Sequence, residues 1–272
     1  MMARVARNMV KATAAASDAF RPRPKGLVVL VYHRVGAGTP IQVDLPTDLF
    51  EAQMAWLAQN MPVVSLADGL RWVESHDTVT DEVRVALTFD DGTADFAEHA
   101  VPILARYGAP ATLYVATEFL ELQAPFPDDG VPLTWAALRD VMASGVVTVG
   151  SHTHSHALLD RLPEDRIAQE LDRSIELIGE HLGVVAEHFA YPKAVPGSSA
   201  ANAAVRARFA SAALAGGHAN VPGRTDVYEL ARTAVQVSDA TRWFRRKARG
   251  GMALEDALRR LLNRSRYAGT TT

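Results

Sequence analysis

Thr88-Phe89-Asp90-Asp91-Gly92 ends an apolar run on two adjacent carboxylates. Carboxylates that close resist ionising together unless a cation lies nearby, and a glycine directly after them permits a sharp exit from a strand. A second group is His152-Thr153-His154-Ser155-His156. His152 and His156 stand at i, i+4, and at a strand-to-helix junction both imidazoles can converge on one ion. Two histidines and a carboxylate make a ligand set with open positions. A hydrolytic metal needs such positions, because a bound water must lose its proton near neutral pH. Each group has a plain alternative, an Asp-Gly turn and a histidine-rich surface loop. Their place on different strands, which one barrel mouth could bring together, favours a shared metal site.

The elements that must position these residues alternate along the chain. Leu27-Val28-Val29-Leu30-Val31-Tyr32 reads as a strand buried on both faces. Further strands are expected at 62–66, 83–89, 111–116, 146–150, 188–191, 211–215 and 230–237. Helices are expected at 47–60 (capped by Thr47 or Asp48), from 66 to 75, and at 95–107, 135–144, 163–182, 198–209, 240–248 and 254–264. Residues 121–134 read as irregular. Alternation implies parallel strands with helical crossovers, hence an α/β barrel or open sheet. Polar residues follow four of the strands: Tyr32-His33-Arg34, Asp90-Asp91, the histidine group and Tyr191-Pro192. Chemistry in such folds sits at those C-terminal strand ends.

The composition fits one soluble α/β unit. Of 272 residues 48% are hydrophobic and 22% charged, with a net charge of −3, and no apolar run approaches the ~18 residues of a membrane span. No cysteine is present, so any metal must be held by His, Asp or Glu. Charge is concentrated at the ends. Residues 1–25 carry six bases against one acid, and residues 242–266 carry nine against two. The acidic middle argues against nucleic acid. Met9-Val10 is followed at once by Lys11, so no cleavable signal is expected, and the expected location is cytoplasmic, with the inner membrane surface as an extension. Arg21 to Gly26 reads as a Pro-rich linker. Leu254, Ala257, Leu258, Leu261 and Leu262 share a helical face, expected to pack on the barrel. The basic ends are the expected peripheral contact with an anionic membrane, residues 1–25 foremost, because they have little other core to join.

TFDDG at 88–92 and HTHSH at 152–156 resemble the first two motifs of the polysaccharide deacetylases, the NodB-homology fold of carbohydrate esterase family four. The similarity runs from about 27 to 237. VLVYHRV at 29–35 resembles the opening strand of the exopolysaccharide-deacetylase subfamily, Tyr191-Pro192 the third motif, and Glu229 to Arg232 the late Arg-bearing strand. The resemblance implies a single distorted (β/α) barrel of about seven parallel strands, spanning 26–240 between a basic segment at 1–25 and basic helices at 241–272. It implies that Asp91, His152 and His156 bind a divalent metal, zinc first, with Co, Fe, Mn or Ni also suited. Asp90 would be the general base, Arg232 would orient it and lower its pKa, and the backbone N–H of Tyr191 would help stabilise the oxyanion.

Two departures from the family pattern matter. His188 stands where the third motif usually begins with Arg, and no histidine follows His218 to serve as the usual general acid. His33, His154, His188 and His218 are the candidates for that proton, and His33 is preferred because it directly follows the first strand. Trp56, Trp72, Trp135 and Trp243 are expected in the core. The function expected is metal-dependent removal of an N-acetyl group from an amino sugar or glycan. Hydrolysis of another amide, O-deacetylation, and a non-catalytic glycan-binding protein with a vestigial site are the alternatives. The carbohydrate is the expected partner, and oligomeric state is left open.

Overall fold

The computed structural model describes residues 2–18, 20, 25–75 and 81–266, apart from the side chains of 2–6, 260 and 262–266. Among these residues β1 (Gly26–Tyr32), β2 (Val83–Phe89), β3 (Ala111–Val115), β4 (Val147–Ser151), β5 (His188–Ala190), β6 (Ser211–Ala215) and β7 (Leu230–Ala234) form a closed barrel. Every pairing is parallel and follows chain order, and β7 closes on β1 through Val29↔Arg232. The α/β barrel of seven parallel strands expected from the sequence is therefore the observed architecture.

Alternation along the strands divides the core in two. Val28, Leu30, Tyr32, Leu87, Phe89, Leu113 and Val115 join the layer beneath the surrounding helices. Leu27, Val29, Ala86, Tyr114, Ala190 and Ala213 form a second cluster that meets Leu66, Leu70 and Val73 of α3 (Leu66–Glu74), which plugs the N-terminal end. Few strands leave a narrow bore, which explains the small residues there and the single large ring of Tyr114. Gly150 is required opposite that ring, since a Cβ there would lie 2.7 Å from Tyr114 Cδ1.

Helices α2 (Thr47–Asn60), α4 (Val101–Arg106), α5 (Thr117–Leu122), α6 (Trp135–Ala143), α7 (Glu164–Leu182) and α8 (Ser199–Arg206) surround the barrel. α7 is amphipathic, burying Ile167, Leu171, Ser174 and Ile178. Each fully buried aliphatic side chain contributes about 1.5–3 kcal/mol. Trp56, Trp135 and Trp243 are buried, as expected; Trp72 is half-buried beneath the Arg84 guanidinium.

Local expectations need correcting in four places. Residues 62–66 give one bridge, Val63 to Val85, because Pro62 has no N–H to offer a ladder and Ser65 already caps α3. Helix α2 starts at Thr47 after Pro46, with no side-chain cap. The helix expected at 95–107 is a π turn, Phe96–Ala100, running into α4. β7 stops at Ala234, and Val237–Asp239 turns as a 3-10 helix. Most of the expected linker lies at 21–24, outside the described residues.

The chain ends differ most from expectation. Residues Met2–Ser17 form α1, which does have a core to join: Ala14 and Ala15 pack with Trp243 and Met252. Lys11 of α1 is 1% exposed and donates to the carboxylates of Asp239 and Glu255. Lys247 of α9 (Ala240–Lys247) donates to Asp239 Oδ2 at 2.9 Å and to Ala234 O at 3.0 Å. Glu255 belongs to α10 (Ala253–Arg266), so one buried ion cluster ties α1, α9 and α10 together. The leucine face of α10, expected against the barrel, is instead open: Leu254, Leu258 and Leu261 are 39%, 39% and 64% exposed. The physical reason is that Asp256, 4% exposed, takes the inward position, accepting from the Gly217 N–H at 2.9 Å and pairing with Arg259.

Candidate active site

Asp90 is the first residue past β2, and its N–H donates to Tyr32 O at 3.1 Å, extending the ladder by one step. The chain then reverses through Asp91 at φ 76° and Gly92 at φ 100°. Glycine adopts such a φ freely and aspartate only at a cost. A Cβ at position 92 would sit 3.2 Å from Val115 Cγ1. This turn gives the two carboxylates different partners, although Asp90 Oδ2 also lies 3.9 Å from His152 Nε2. Asp90 turns inward to Arg232 of β7, whose guanidinium donates to Oδ1 at 2.6 Å and Oδ2 at 2.9 Å. Both residues are buried, and Arg232 lies above the Tyr114 ring that fills the bore, 5.4 Å from its centroid. Burial pushes the Asp90 carboxyl up, but the Arg232 charge outweighs it, aided by His152, and the pKa is lowered to about 2. Asp90 is thus ionised throughout the neutral range.

Asp91 turns the other way, toward the two histidines. Its Oδ1 lies 3.8 Å from His152 Nε2 and 3.6 Å from His156 Nε2. The three donor atoms lie within 4.8 Å of one another. Ligands each 2.0–2.2 Å from a zinc ion are separated by similar distances. His152 Nδ1 faces Ala190 O at 2.7 Å. A carbonyl can only accept, so Nδ1 carries the proton and Nε2 keeps its lone pair for a metal. Burial, then the neighbouring His152, pulls His156 down to about 4, so it too offers a lone pair at neutral pH. The residues therefore fit a divalent cation, and the chemistry of the set suits zinc and the other N/O-seeking metals.

The loop carrying the histidines is held in an uncommon backbone, with Thr153 at φ 65° and His156 at φ 61°. Glu170 of α7 secures it. Its Oε2 accepts from the N–H groups of His154 and Ser155 at 3.1 and 2.8 Å, and its Oε1 from Ser155 Oγ at 2.7 Å. Sequence reasoning passed over Glu170. The signal was present: an acid at position 170 interrupts the apolar face of Ile167, Leu171 and Ile178, and a buried acid needs donors. Arg34 was noted only as a polar strand end. It is buried and donates to Asp128 O at 2.7 Å and to Pro127 O, clamping the irregular loop over the cleft.

A cleft of about 1540 Å³ opens above these groups, lined by His33, Asp90, Asp91, His152, His156 and Arg232, with Phe119 and Phe126 on one wall. His33 lines the cleft. It contributes to lowering Asp90, and its Nδ1 is buried with no hydrogen-bond partner among the described residues. The other histidines lie elsewhere. His154 Nδ1 is 2.9 Å from Thr117 Oγ1, His188 Nδ1 is 3.0 Å from Ser211 Oγ within the barrel wall, and His218 is exposed. Tyr191 is already bonded on both its amide and its hydroxyl. Its N–H donates to Ala213 O at 3.1 Å in the parallel ladder and its hydroxyl to Asn202 Oδ1 at 2.8 Å. The cleft wall there is made by Lys193 to Pro196.

Comparison with known proteins places this geometry. The sequence profile of the family Polysaccharide deacetylase matches residues 77–212. YxkH of Bacillus subtilis (strain 168), whose name places it with the polysaccharide deacetylases, is 28% identical over 155 residues. That alignment covers 57% of this chain and 52% of YxkH, so the match spans about half of the relative's length. Among solved structures, IcaB from Ammonifex degensii superposes with a TM-score of 0.71 at 24% identity, covering 82% of this chain and 98% of IcaB. The Streptococcus pyogenes deacetylase PplD, solved with acetate, gives 0.70 at 21% identity over 83% and 99%. These two likenesses establish the shared fold.

Proposed function

Since the chain belongs to the polysaccharide deacetylase family, we propose that it hydrolyses the N-acetyl group of an amino sugar within a carbohydrate, using a divalent cation, zinc first, on Asp91, His152 and His156. The observation that carries this reading is the convergence of three lone-pair donors beside an Arg-bound carboxylate at the open end of the barrel. Bound there, the cation would supply Lewis acidity toward the acetyl carbonyl and toward water.

In this proposal the chain's own residues divide the proton work. Asp90 accepts the proton of the attacking water as its oxygen bonds to the acetyl carbon, and Arg232 holds the carboxylate in line. The carbon–nitrogen bond then breaks, the nitrogen takes a proton from protonated His33, and acetate and a free amine result. His33 suits this because it lines the cleft and its Nδ1 has no hydrogen-bond partner among the described residues. The Tyr191 N–H serves the oxyanion only by sharing its bond to Ala213. Phe119 and Phe126, stacked at 4.0 Å, offer an apolar surface to a sugar ring.

O-deacetylation is the second reading, favoured by the absence of any histidine after His218, since an alkoxide leaves with less need of a proton donor. Metal analysis of the purified protein, followed by acetate release from N-acetylated and O-acetylated glycans with and without a chelator, tests both. Chelator-sensitive acetate release from N-acetylated glycans is expected. A protein that binds no divalent metal and releases no acetate overturns the proposal in favour of a vestigial binding site.

A further inference from the structure

The described residues include eight large hydrophobic side chains that are exposed, and five of them, Met9, Phe20, Leu254, Leu258 and Leu261, lie on α1, just after it, or on α10. The remaining three, Leu122, Val131 and Val185, are scattered over the barrel. The two terminal helices contact each other and are pinned by the buried Lys11–Asp239–Lys247–Glu255 cluster. Their apolar residues are thus presented on a fixed support. Leu254, Leu258 and Leu261 recur at four and three residues, which is one face of a helix.

The charge of these helices points to what covers that face. α1 carries Arg4, Arg7 and Lys11 and no acid. α10 carries Arg259, Arg260, Arg264 and Arg266 against Glu255 and Asp256. Both acids are turned inward: Glu255 meets Lys11 and Lys247, and Asp256 meets Arg259 and the Gly217 N–H. The described acids of the two helices thus face inward, whereas their sequences carry five arginines besides Arg259. An exposed apolar face on a basic helix matches an interfacial helix lying on anionic lipid. Arg7 and Arg259, from the same two helices, line the catalytic cleft.

We propose that α1 and α10 form a platform that seats the protein on an anionic lipid bilayer, with the cleft mouth at its edge. Leu254, Leu258, Leu261 and Met9 enter the headgroup region, and the arginines meet lipid phosphates. Membrane contact, expected at the basic ends with residues 1–25 foremost, is thereby shared between α1 and α10. With Arg7 and Arg259 in its lining, the cleft opens at lipid level; on the deacetylase reading above, it takes N-acetylated sugars displayed on the membrane in preference to those free in solution. The membrane seating itself stands whether or not the site is a deacetylase.

The test is sedimentation of the full chain with vesicles of phosphatidylcholine alone or mixed with phosphatidylglycerol. Wild type is expected to sediment with the anionic vesicles at low salt, to stay in the supernatant with phosphatidylcholine, and to be released by high salt, because the attraction is screened. Leu258→Glu and Leu261→Glu are expected to lower partitioning at least about tenfold, the equivalent of the roughly 1.5–3 kcal/mol a buried leucine carries. Val185→Glu, on a different surface, is expected to leave it unchanged. Circular dichroism confirms that each variant folds, and a chelator is expected to leave partitioning intact, which separates this result from failure of the metal site. The proposal is overturned if wild type stays in the supernatant with anionic vesicles. Equal partitioning of Leu261→Glu and wild type overturns it as well, as does a wild-type dimer by light scattering that Leu261→Glu converts to monomer.

Discussion

Asp90 and Arg232 at the barrel mouth, and Lys11, Asp239, Lys247 and Glu255 beneath the terminal helices, are both ionic groups withdrawn from water, and they are completed differently. In the terminal cluster two ammonium groups meet two carboxylates, so the charges cancel and their bonds run inward. At the mouth Arg232 pairs with Asp90, while Asp91, His152 and His156 bring three donor atoms within 4.8 Å of one another. His33 adds a buried nitrogen without a partner. A balanced cluster is what fixing a structure requires. Unspent lone pairs in a cleft are what a ligand requires.

Mutation should separate the two clusters most sharply at Asp90. Asp90→Asn is expected to lower acetate release by about 10²–10⁴-fold, the usual contribution of a general base, while metal content and thermal stability stay near wild type. His152→Ala and His156→Ala are expected to lose activity together with metal, because neither imidazole has a substitute. Elemental analysis beside acetate release reads both. If Asp90→Asn also strips the metal, the roles given to the two neighbouring carboxylates are exchanged.

The opposite pattern is expected in the terminal cluster. Asp239→Asn leaves Lys11 and Lys247 facing Glu255 alone and should cost about 3–5 kcal/mol of stability, as breaking a buried pair does. Activity per folded molecule should persist at low temperature. Burial pushes the Asp239 carboxyl up, but Lys247 and Lys11 more than offset it, so its pKa is lowered. A lowered folded pKa means that its contribution is present above the ordinary aspartate range and is lost as pH falls through the folded value. Acid titration of wild type against Asp239→Asn by circular dichroism should therefore converge at low pH. Curves that stay parallel would remove the ion pair as the cause.

His33 tests whether the unpaired nitrogen at the mouth does chemistry. His33→Ala is expected to lower turnover of an N-acetyl substrate about 10²-fold and that of an activated acetyl ester much less, because only the amine needs a proton to leave. Equal losses on both substrates would make His33 a packing residue and give weight to O-deacetylation.

Much of the mouth was legible in the sequence because its residues sit at strand ends, and a strand end is marked by an apolar run stopping on polar residues. Asp90, Asp91, His152 and Arg232 all occur within two residues of the end of β2, β4 or β7 or inside that strand. The terminal cluster was illegible for the converse reason. Lys11 meets its partners 228 and 244 residues away, and nothing local distinguishes it from a solvated lysine. The exposed leucines of α10 misled because periodicity shows that an apolar face exists, not what it meets. That the Tyr191 amide already donates to Ala213 O was illegible too, because a motif carries no information on ladder pairing.

Glu170 lies between these cases, and its expected effect is the smallest. It touches neither substrate nor metal ligand, yet it accepts three hydrogen bonds from the segment joining His152 to His156. That segment includes two residues at positive φ, a backbone that persists only when surrounding groups fix it. Glu170→Gln keeps the volume and one acceptor oxygen, but it turns an amide NH₂ toward a donor. Hydrogen bonds to a charged acceptor contribute about 1.5–3 kcal/mol each, so a modest loss of stability is expected. If Glu170 acts by positioning His156, metal affinity should also fall about tenfold, the low end of what outer partners of metal ligands carry. A purely structural role would lower the melting temperature and leave the metal dissociation constant of the folded protein unchanged. Titrating metal into the apoprotein at a temperature where both forms are folded decides between the two, and an unchanged constant would remove Glu170 from the account of the site.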